Sequence, residues 1–368
     1  MAGVVMVDQA RPRMVTLVRE SMGLTQTELA DLAGLSQGYI SKVESGLLPL
    51  TEQNLDKVAA VLKCPVELLL DDTPVQGLEV TCMHHRRRHS KINASTKRRI
   101  EALTHLTRVS VEGLLHGIEL IPDTELQRLD VEQFDGDPAE AARAVRAAWR
   151  VPSGPIENVI DVLEAVGIVV VSRSLFTHAQ DAVSTWPRDG GRPPIMVVNL
   201  GLPGDRQRFT TSHELGHLLL HTLPDEDQER QADVFASEFL APAEEIAPQL
   251  AGLTTRDFSR LLQLKAQWKM SVAALIRRAY DLDEISDRQY RQFQIRLNQL
   301  GWREVEPGSL PPEVPSTLAR VMDVHVADHG YSLDELAKTA GMLPGPFREH
   351  YRPPSDDGPS TPLRLVRP

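Results

Sequence analysis

The chain has 368 residues, of which 41% are hydrophobic and 25% are charged, a composition typical of globular proteins with about two or three domains. Its two cysteines, Cys64 and Cys82, exclude a disulfide scaffold and a cysteine-rich zinc finger, and they indicate a reducing compartment. The formal net charge of −11 excludes a protein that coats nucleic acid, and the lack of a signal segment or a long apolar run predicts a cytoplasmic location.

Short helices with strong end signals are predicted for residues 11–72. Thr25-Gln26-Thr27-Glu28 is a capping box, in which the Thr25 hydroxyl and the Glu28 carboxylate satisfy each other's backbone amides. Gly34 ends that helix, and Ser36 caps the next one, from Gln37 to Glu44. Two short helices joined by a tight glycine turn, inside a five-helix bundle, are the plan of a helix-turn-helix domain.

The second helix of such a pair enters the major groove with its N-terminal residues first. Gln37, Ser41 and Lys42 are therefore the candidates for contacts with base edges. Gln26, at the start of the preceding helix, is the candidate for a phosphate contact. A basic strip at residues 86–99 offers either an additional DNA contact or a solvated connector, and both interpretations stay open.

Residues 17–70 resemble the lambda-repressor-like, or XRE-type, helix-turn-helix domain. The segments Gly23–Ala30 and Ser36–Gly46 carry the resemblance. It implies a double-stranded DNA operator as partner, and two-fold operators favour a homodimer on DNA. A helical bundle without affinity for DNA is the alternative, because this module holds more acidic than basic residues.

A basic and helical connector is predicted for residues 73–150, and a mixed α/β core for residues 151–250. The core begins with an amphipathic helix that ends at Gly167 and continues with a strand of β-branched residues, Ile168–Ser172. Its remaining predicted elements are two strands and two helices, at Asp181–Trp186, Ile195–Asn199, Arg206–His221 and Glu226–Leu240.

His213-Glu214-Leu215-Gly216-His217 is an HExxH motif. Residues four apart lie on one face of a helix, so both imidazoles point at one ion, with Glu214 beside them to act on a water. Zinc requires a third protein ligand and keeps a fourth position open. Glu229 on the next helix is the preferred third ligand, with Glu226 and Glu238 as rivals.

Other polar side chains near the motif are candidates for supporting roles. Asp233, one turn after Glu229, is placed to accept the free N–H of a ligating histidine and so to fix its tautomer. Three interpretations of His221 stay open: an extra metal ligand, a group on the substrate side, or a histidine at the edge of the cleft without a role. Arg206 and Arg208 are candidates for an oxyanion or substrate contact, with solvated charges as the alternative.

Residues 155–280 resemble the ImmA/IrrE metallopeptidase family. The matching segments are Pro155-Ile156, Arg206–Phe209, His217–His221 and Glu229–Pro242. The resemblance implies a zinc endopeptidase of the gluzincin type, with Zn²⁺ as cofactor and a repressor-type protein as substrate. Many members have Asn at the position of Asp233, and since either side chain accepts a hydrogen bond, this difference does not indicate inactivity.

A helical extension is predicted for residues 251–305, and a helical region with a disordered tail for residues 306–368. Tyr331–Ala337 resembles Leu24–Ala30, and we favour two separately capped helix starts over a repeat. The predicted fold class is therefore an α+β multidomain protein: a five-helix bundle, a mixed α/β zincin-like domain with the HExxH helix, and a helical C-terminal region.

The sequence favours a DNA-binding transcriptional regulator with an endopeptidase domain that cleaves a repressor or the chain's own connector. In the predicted mechanism, Glu214 takes a proton from the attacking water and passes it to the leaving amine. The alternatives are a non-proteolytic transcription factor whose metal domain is a sensor, and a toxin–antitoxin or phage-type component. A pure sensor has no need of Glu214, which favours the peptidase.

Overall fold

The computed structural model describes residues 11–71, 92–187, 191–221 and 227–351. No helix in these ranges is both long enough and apolar enough to cross a bilayer. The N-terminal unit is the five-helix bundle that the sequence predicts. Its helices are α1 (Pro12–Ser21), α2 (Gln26–Ala33), α3 (Gln37–Glu44), α4 (Glu52–Leu62) and α5 (Val66–Leu70).

The predicted end signals of α2 and α3 are confirmed. The Thr25 hydroxyl accepts from the Glu28 amide at 3.2 Å, and the Glu28 carboxylate accepts from the Thr25 amide at 2.8 Å. Gly34 has a φ of 66°, which a residue with a side chain rarely adopts, and the Ser36 hydroxyl accepts from the Tyr39 amide. These caps fix both helices of the turn locally.

Helix α6 (Ala94–Leu114) leaves the bundle and connects it to the rest of the chain. It packs along α1 and contributes Ala102 and Val109 to the apolar core of the bundle. Arg99 donates to the carbonyl of Ser21 at 3.0 Å, and its guanidinium lies 3.6 Å from the centre of the Phe176 ring. Arg99 is thus engaged within the fold, and the basic residues before Ile92 lie outside the described residues.

A second unit is built on a three-stranded sheet in the order β1-β3-β2, in which β3 pairs parallel with β1 and antiparallel with β2. Val170, Met196 and Val198 cover one face and join the largest apolar cluster. The opposite face is also covered, which fits the uninterrupted apolar stretches Val169–Val171 and Ile195–Val198 of the parallel pair β1 and β3. The elements are α7 (Pro138–Ala148), α8 (Val159–Ala165), β1 (Val169–Arg173), β2 (Ala182–Thr185), β3 (Ile195–Asn199), α9 (Gly204–Leu220) and α10 (Gln228–Leu240).

The largest apolar cluster extends from Ala141 to Leu297 and crosses the boundaries predicted at residues 150 and 250. Helix α7 and the helices after α10 therefore pack into the same core as the sheet. The remaining helices are α11 (Ala243–Leu250), α12 (Phe258–Trp268), α13 (Val272–Asp281), α14 (Asp287–Gln299), α15 (Thr317–His329), α16 (Leu333–Thr339) and α17 (Pro344–His350).

Carboxylates fasten the segment between α14 and α15 to the rest of the chain. Glu306 accepts from the first amides of α13, and Glu313 accepts from the Val159 amide at the start of α8. Glu164 accepts from the Ser316 and Thr317 amides at the start of α15, and its burial raises the pKa of its carboxyl. Each carboxylate supplies the negative charge that a helix N-terminus favours.

Gly113 marks a close contact between α6 and α16. A methyl group there would lie 2.2 Å from the carbonyl oxygen of Thr339, which is backbone and cannot rotate away. We expect Gly113→Ala to lower the free energy of unfolding by about 1–3 kcal/mol, measured by chemical denaturation. Gly38→Ala is the matched control: its methyl meets no atom within 4 Å, and we expect it to stabilise by about 0.5–1 kcal/mol. Equal effects of the two changes would contradict the contact.

Candidate metal centre

The metal centre depends on the close approach of α9 and α10. Gly216, inside the HExxH motif, faces α10, and a methyl group there would lie 3.2 Å from the Ala232 Cα atom and 3.3 Å from the Phe235 ring. The missing side chain lets the two helix backbones lie side by side. Nearly every residue of α9 is buried, so its histidines lie in the interior rather than on a solvated surface.

Three ligand-type side chains from these helices converge at one point. The Nε2 atoms of His213 and His217 are 3.0 Å apart. The Glu229 carboxylate lies 3.7 Å from His213 Nε2 and 3.3 Å from His217 Nε2. Four tetrahedral ligands at zinc–nitrogen bond lengths would be about 3.3 Å apart, so the observed spacing fits a zinc ion. The residues present are thus compatible with the predicted ligand set.

The outer nitrogens of both histidines have partners that determine their tautomers. His213 Nδ1 lies 2.8 Å from Asp233 Oδ1, and since a carboxylate only accepts, this nitrogen carries the proton. His217 Nδ1 lies 2.9 Å from His221 Nδ1, and His221 Nε2 lies 2.9 Å from the Gln231 side-chain oxygen. Gln231 accepts from His221 Nε2, so His221 Nδ1 is left to accept from His217.

With both Nδ1 atoms protonated, the two Nε2 atoms and the Glu229 carboxylate face one another as electron-pair acceptors. Both Nε2 atoms present lone pairs, and the Glu229 carboxylate adds a negative charge beside them. An arrangement of this kind repels itself unless a cation occupies the centre. Two imidazoles and a carboxylate are also a ligand set that zinc prefers in catalytic sites.

Glu214 lies beside the cluster and is fully buried. Its Oε2 atom accepts from the Ser184 hydroxyl at 2.8 Å. Its Oε1 atom is also buried, and no described residue hydrogen-bonds to it. A buried carboxylate oxygen is costly without a partner, so this atom can accept a hydrogen bond from a small polar molecule that enters the site.

Two residues of the centre, Ser184 and Gln231, were not identified from the sequence. The strand that carries Ser184 was predicted, but nothing in its short run of residues indicates which side chain faces the HExxH helix. Gln231 follows the third ligand by only two residues, and its role becomes visible only with His221 beside it. His221 itself is a hydrogen-bond partner of His217, which none of its predicted roles included.

Other candidates lie elsewhere. Glu238 is fully buried between Arg278 and Arg143 and is not part of the cluster, while Glu226 lies outside the described residues.

Arg208 is buried and bound to Glu313 and to the carbonyl of Ile156, so it attaches α9 to the C-terminal segment and cannot reach a substrate. We do not retain it as an oxyanion or substrate contact. Arg206 forms a two-point ion pair with Asp181.

The DNA-contact candidates lie on one surface of the bundle. The side-chain Nε2 of Gln37 donates to the side-chain oxygen of Gln26 at 2.9 Å, and the side-chain Nε2 of Gln26 donates to the Glu44 carboxylate at 2.9 Å. Glu44 is in turn held by Arg19 at 2.6 Å. This chain of hydrogen bonds fixes the start of α3 against the start of α2. Lys42 is exposed and Ser41 is partly exposed on the same helix.

Comparison with known families finds two matches. The helix-turn-helix family model matches residues 17–69, which include α2 and α3. The model of the IrrE N-terminal-like domain, a peptidase family, matches residues 163–280, which include the sheet, the HExxH helix and Glu229. No curated protein matches the chain. The chain therefore combines a region similar to the XRE-type helix-turn-helix domain with a metallopeptidase-like region similar to the IrrE N-terminal-like domain.

Proposed function

We propose that this protein is a DNA-binding transcriptional regulator whose IrrE-like domain is a zinc-dependent endopeptidase. The observation that carries the proposal is the convergence of His213, His217 and Glu229 on one point with the buried Glu214 beside them. A metal site that only senses an ion would have no use for a buried carboxylate next to a ligand on the same helix, whereas peptide hydrolysis requires a base there.

In this proposal, His213, His217 and Glu229 hold zinc, and Asp233 and His221 orient the two imidazoles. Bound zinc supplies Lewis acidity, which makes a water more acidic and a peptide carbonyl more electrophilic. Glu214 takes a proton from the attacking water and delivers it to the amine as the peptide C–N bond breaks. The Ser184 hydroxyl holds the other oxygen of Glu214 in place during both transfers.

The substrate is proposed to be a repressor-type protein or the connector at residues 73–100 of the chain itself. Most of that segment, residues 73–91, lies outside the described residues. Cleavage there would separate the helix-turn-helix domain from the peptidase domain and so change transcription. On a two-fold operator, the protein is proposed to bind as a homodimer.

Mapping of newly formed protein N-termini tests the peptidase. The purified chain is incubated with a cell extract, with and without a zinc chelator, and new N-termini are identified by chemical labelling and mass spectrometry. Chelator-sensitive cleavage of the chain or of a DNA-binding protein is the expected result. Zinc-loaded protein that produces no new N-termini would favour the sensor interpretation instead.

The DNA-binding half of the proposal predicts the effect of Lys42→Ala on salt dependence. An exposed lysine that contacts a phosphate releases about one counterion, so its removal lowers the slope of log affinity against log salt by about one. The measurement is fluorescence anisotropy with a random-sequence DNA duplex at several salt concentrations. Lys57→Ala, on α4, is the control with the same loss of charge. Equal slopes for the wild type, Lys42→Ala and Lys57→Ala would contradict the placement of α3 on DNA.

A further inference from the structure

The C-terminal helices α15, α16 and α17 repeat the N-terminal helices α1, α2 and α3. A single offset in residue number, the one that relates Thr25 to Ser332, matches the end signals of α2 with those of α16. Both residues are N-caps with a φ near −77° and a ψ of 162°, and both form a complete capping box. The glycine of the turn is Gly34 in the first unit and Gly341 in the second, with φ values of 66° and 63°.

Backbone hydrogen bonds of the two turns also correspond, although the Ser36 side-chain cap of α3 has no counterpart at Leu343 of α17. The Leu35 amide donates to the carbonyl of Ala30 at 2.9 Å, and at the same offset the Met342 amide donates to the carbonyl of Ala337 at 2.8 Å. The capping-box distances agree to within 0.1 Å. Corresponding bonds at the cap and in the turn are more than two capped helix starts need to share, and they favour a repeat over the two separate starts preferred from the sequence.

The buried positions follow the same offset. Leu29, Ala30, Ala33 and Ile40 form the inner face of the first turn, and their counterparts are also buried in the second. Those counterparts are Leu336, Ala337, Ala340 and Phe347. Residues 317–351 therefore have the core pattern of a helix-turn-helix unit, although neither family model extends to them.

The positions that would face DNA have changed their chemistry. At the offset, Gln26 corresponds to Leu333 and Gln37 corresponds to Pro344. Neither leucine nor proline has a side-chain group that can read a base edge or bind a phosphate. Lys42 corresponds to Glu349, whose charge a phosphate repels.

The second unit is docked on the first one and on the sheet. Gly341 lies against Leu68 of α5, where a methyl group would be 2.9 Å from the Leu68 Cδ1 atom. Lys338 forms an ion pair of 3.0 Å with Glu67. On its other side, Phe347 joins the apolar cluster over the second face of the sheet. The unit thus contacts the DNA-binding bundle and the peptidase-like core at once.

Helix α6 completes this arrangement, because it runs between the two helix-turn-helix units. The Ser110 hydroxyl donates to the carbonyl of Ala340 at 2.7 Å, and His325 Nε2 donates to the carbonyl of Leu114 at 2.6 Å. A cavity of about 140 Å³ lies at the junction, bordered by Cys64 and Leu68 from the first unit and by Leu343 from the second. Cys64 is buried at this junction.

From these contacts we propose that residues 317–351 are a second helix-turn-helix unit that has lost DNA readout and binds the first unit, holding the DNA-binding domain on the peptidase-like domain. Its partner is the surface of α1, α4 and α5 in the same chain, and its own binding surface is the turn between α16 and α17. The turn that positions a recognition helix on DNA in the first unit thus serves an intramolecular contact in the second.

A matched pair of leucine substitutions tests the docking. Leu343→Asp places a carboxylate at the junction while giving α17 a favourable N-cap, so the second unit itself stays folded. Leu333→Asp makes the same change at a similarly exposed helix start away from the junction. In full-length protein carrying Cys82→Ser, the readout is the rate at which a thiol reagent modifies Cys64.

We expect Leu343→Asp to raise that rate about tenfold, because a hydrated carboxylate replaces the apolar side chain that borders the junction cavity, and Leu333→Asp to leave it within about twofold. Equal rates in both variants would overturn the docking. As a second variant, Lys338→Glu places a carboxylate opposite that of Glu67, and we expect it to raise the modification rate of Cys64 by less than Leu343→Asp does. Adding Glu67→Lys makes the two charges opposite again and is expected to restore the wild-type rate. Failure of the swap to restore it would also count against the interface.

The loss of DNA readout is tested separately on the second unit's Arg348, which occupies the position of Ser41. Arg348→Ala is expected to leave the salt dependence of binding to the random-sequence duplex unchanged, in contrast to Lys42→Ala. A lowered slope in Arg348→Ala would assign a second DNA contact and overturn this part. Because Cys64 protection needs neither DNA nor zinc, its outcome is independent of the proposed function.

Discussion

Glu214→Gln is expected to lower peptide hydrolysis by about 10²- to 10⁴-fold while about one zinc per chain stays bound, because the variant lacks only the proton acceptor. Glutamine has the size of glutamate and keeps an oxygen that accepts from the Ser184 hydroxyl, so the local structure is preserved. The amide cannot take a proton from the attacking water. The readouts are the yield of new N-termini and the zinc content by elemental analysis.

The matched control is Glu244→Gln, which makes the same change at an exposed position on α11 and should have no effect. Retained full cleavage by Glu214→Gln would remove Glu214 from the mechanism. Loss of zinc together with activity would make Glu214 a ligand rather than a base. The two readouts therefore separate the role of Glu214 from that of the three residues proposed to hold the ion.

The parts of this protein that the sequence predicts well are those with local rules. The capping box at Thr25, the turn at Gly34 and the HExxH spacing involve residues within one or two helical turns, where geometry follows directly from the period of the helix. Glu229 was predicted as the third ligand because it lies on the next helix with Asp233 one turn later. The predicted ends of the three strands differ from the observed ends by no more than one residue.

The parts that the sequence misses depend on contacts between distant segments. Ser184 reaches Glu214 from a strand thirty residues earlier, and Glu313 reaches Arg208 from the C-terminal segment. No periodicity encodes which strand residue faces a given helix, since this depends on how the sheet packs. Arg208 had the appearance of a site residue because it precedes the HExxH motif by less than two turns.

The second helix-turn-helix unit is hidden for a related reason. What persists between the two units is a cap, a glycine in the turn and a set of small or apolar inner positions, as at Leu29 and Leu336. These features occur in many capped helices, so a short window cannot distinguish a repeat from coincidence. The outer positions, which would have identified the unit as a DNA reader, have diverged with the loss of that function.

His217→Ala is expected to abolish zinc binding. Wild-type protein should carry about one zinc per chain, and the variant should carry little after dialysis, because a catalytic zinc site with three protein ligands rarely survives the loss of one. Zinc should also raise the unfolding temperature of the wild type but not of the variant, since only a bound ion stabilises the native state. His178→Ala, an exposed histidine outside the cluster, is the matched control.

His221→Ala distinguishes a zinc ligand from a residue that orients one. His221 contacts Nδ1 of His217, the nitrogen that does not face the cluster, so its loss should weaken zinc binding by about 10- to 100-fold without abolishing it. Competition with a chromophoric chelator measures this difference. Equal zinc content in wild type, His217→Ala and His221→Ala would mean that the cluster does not hold the ion, and the DNA-binding function would then have to be considered without a peptidase.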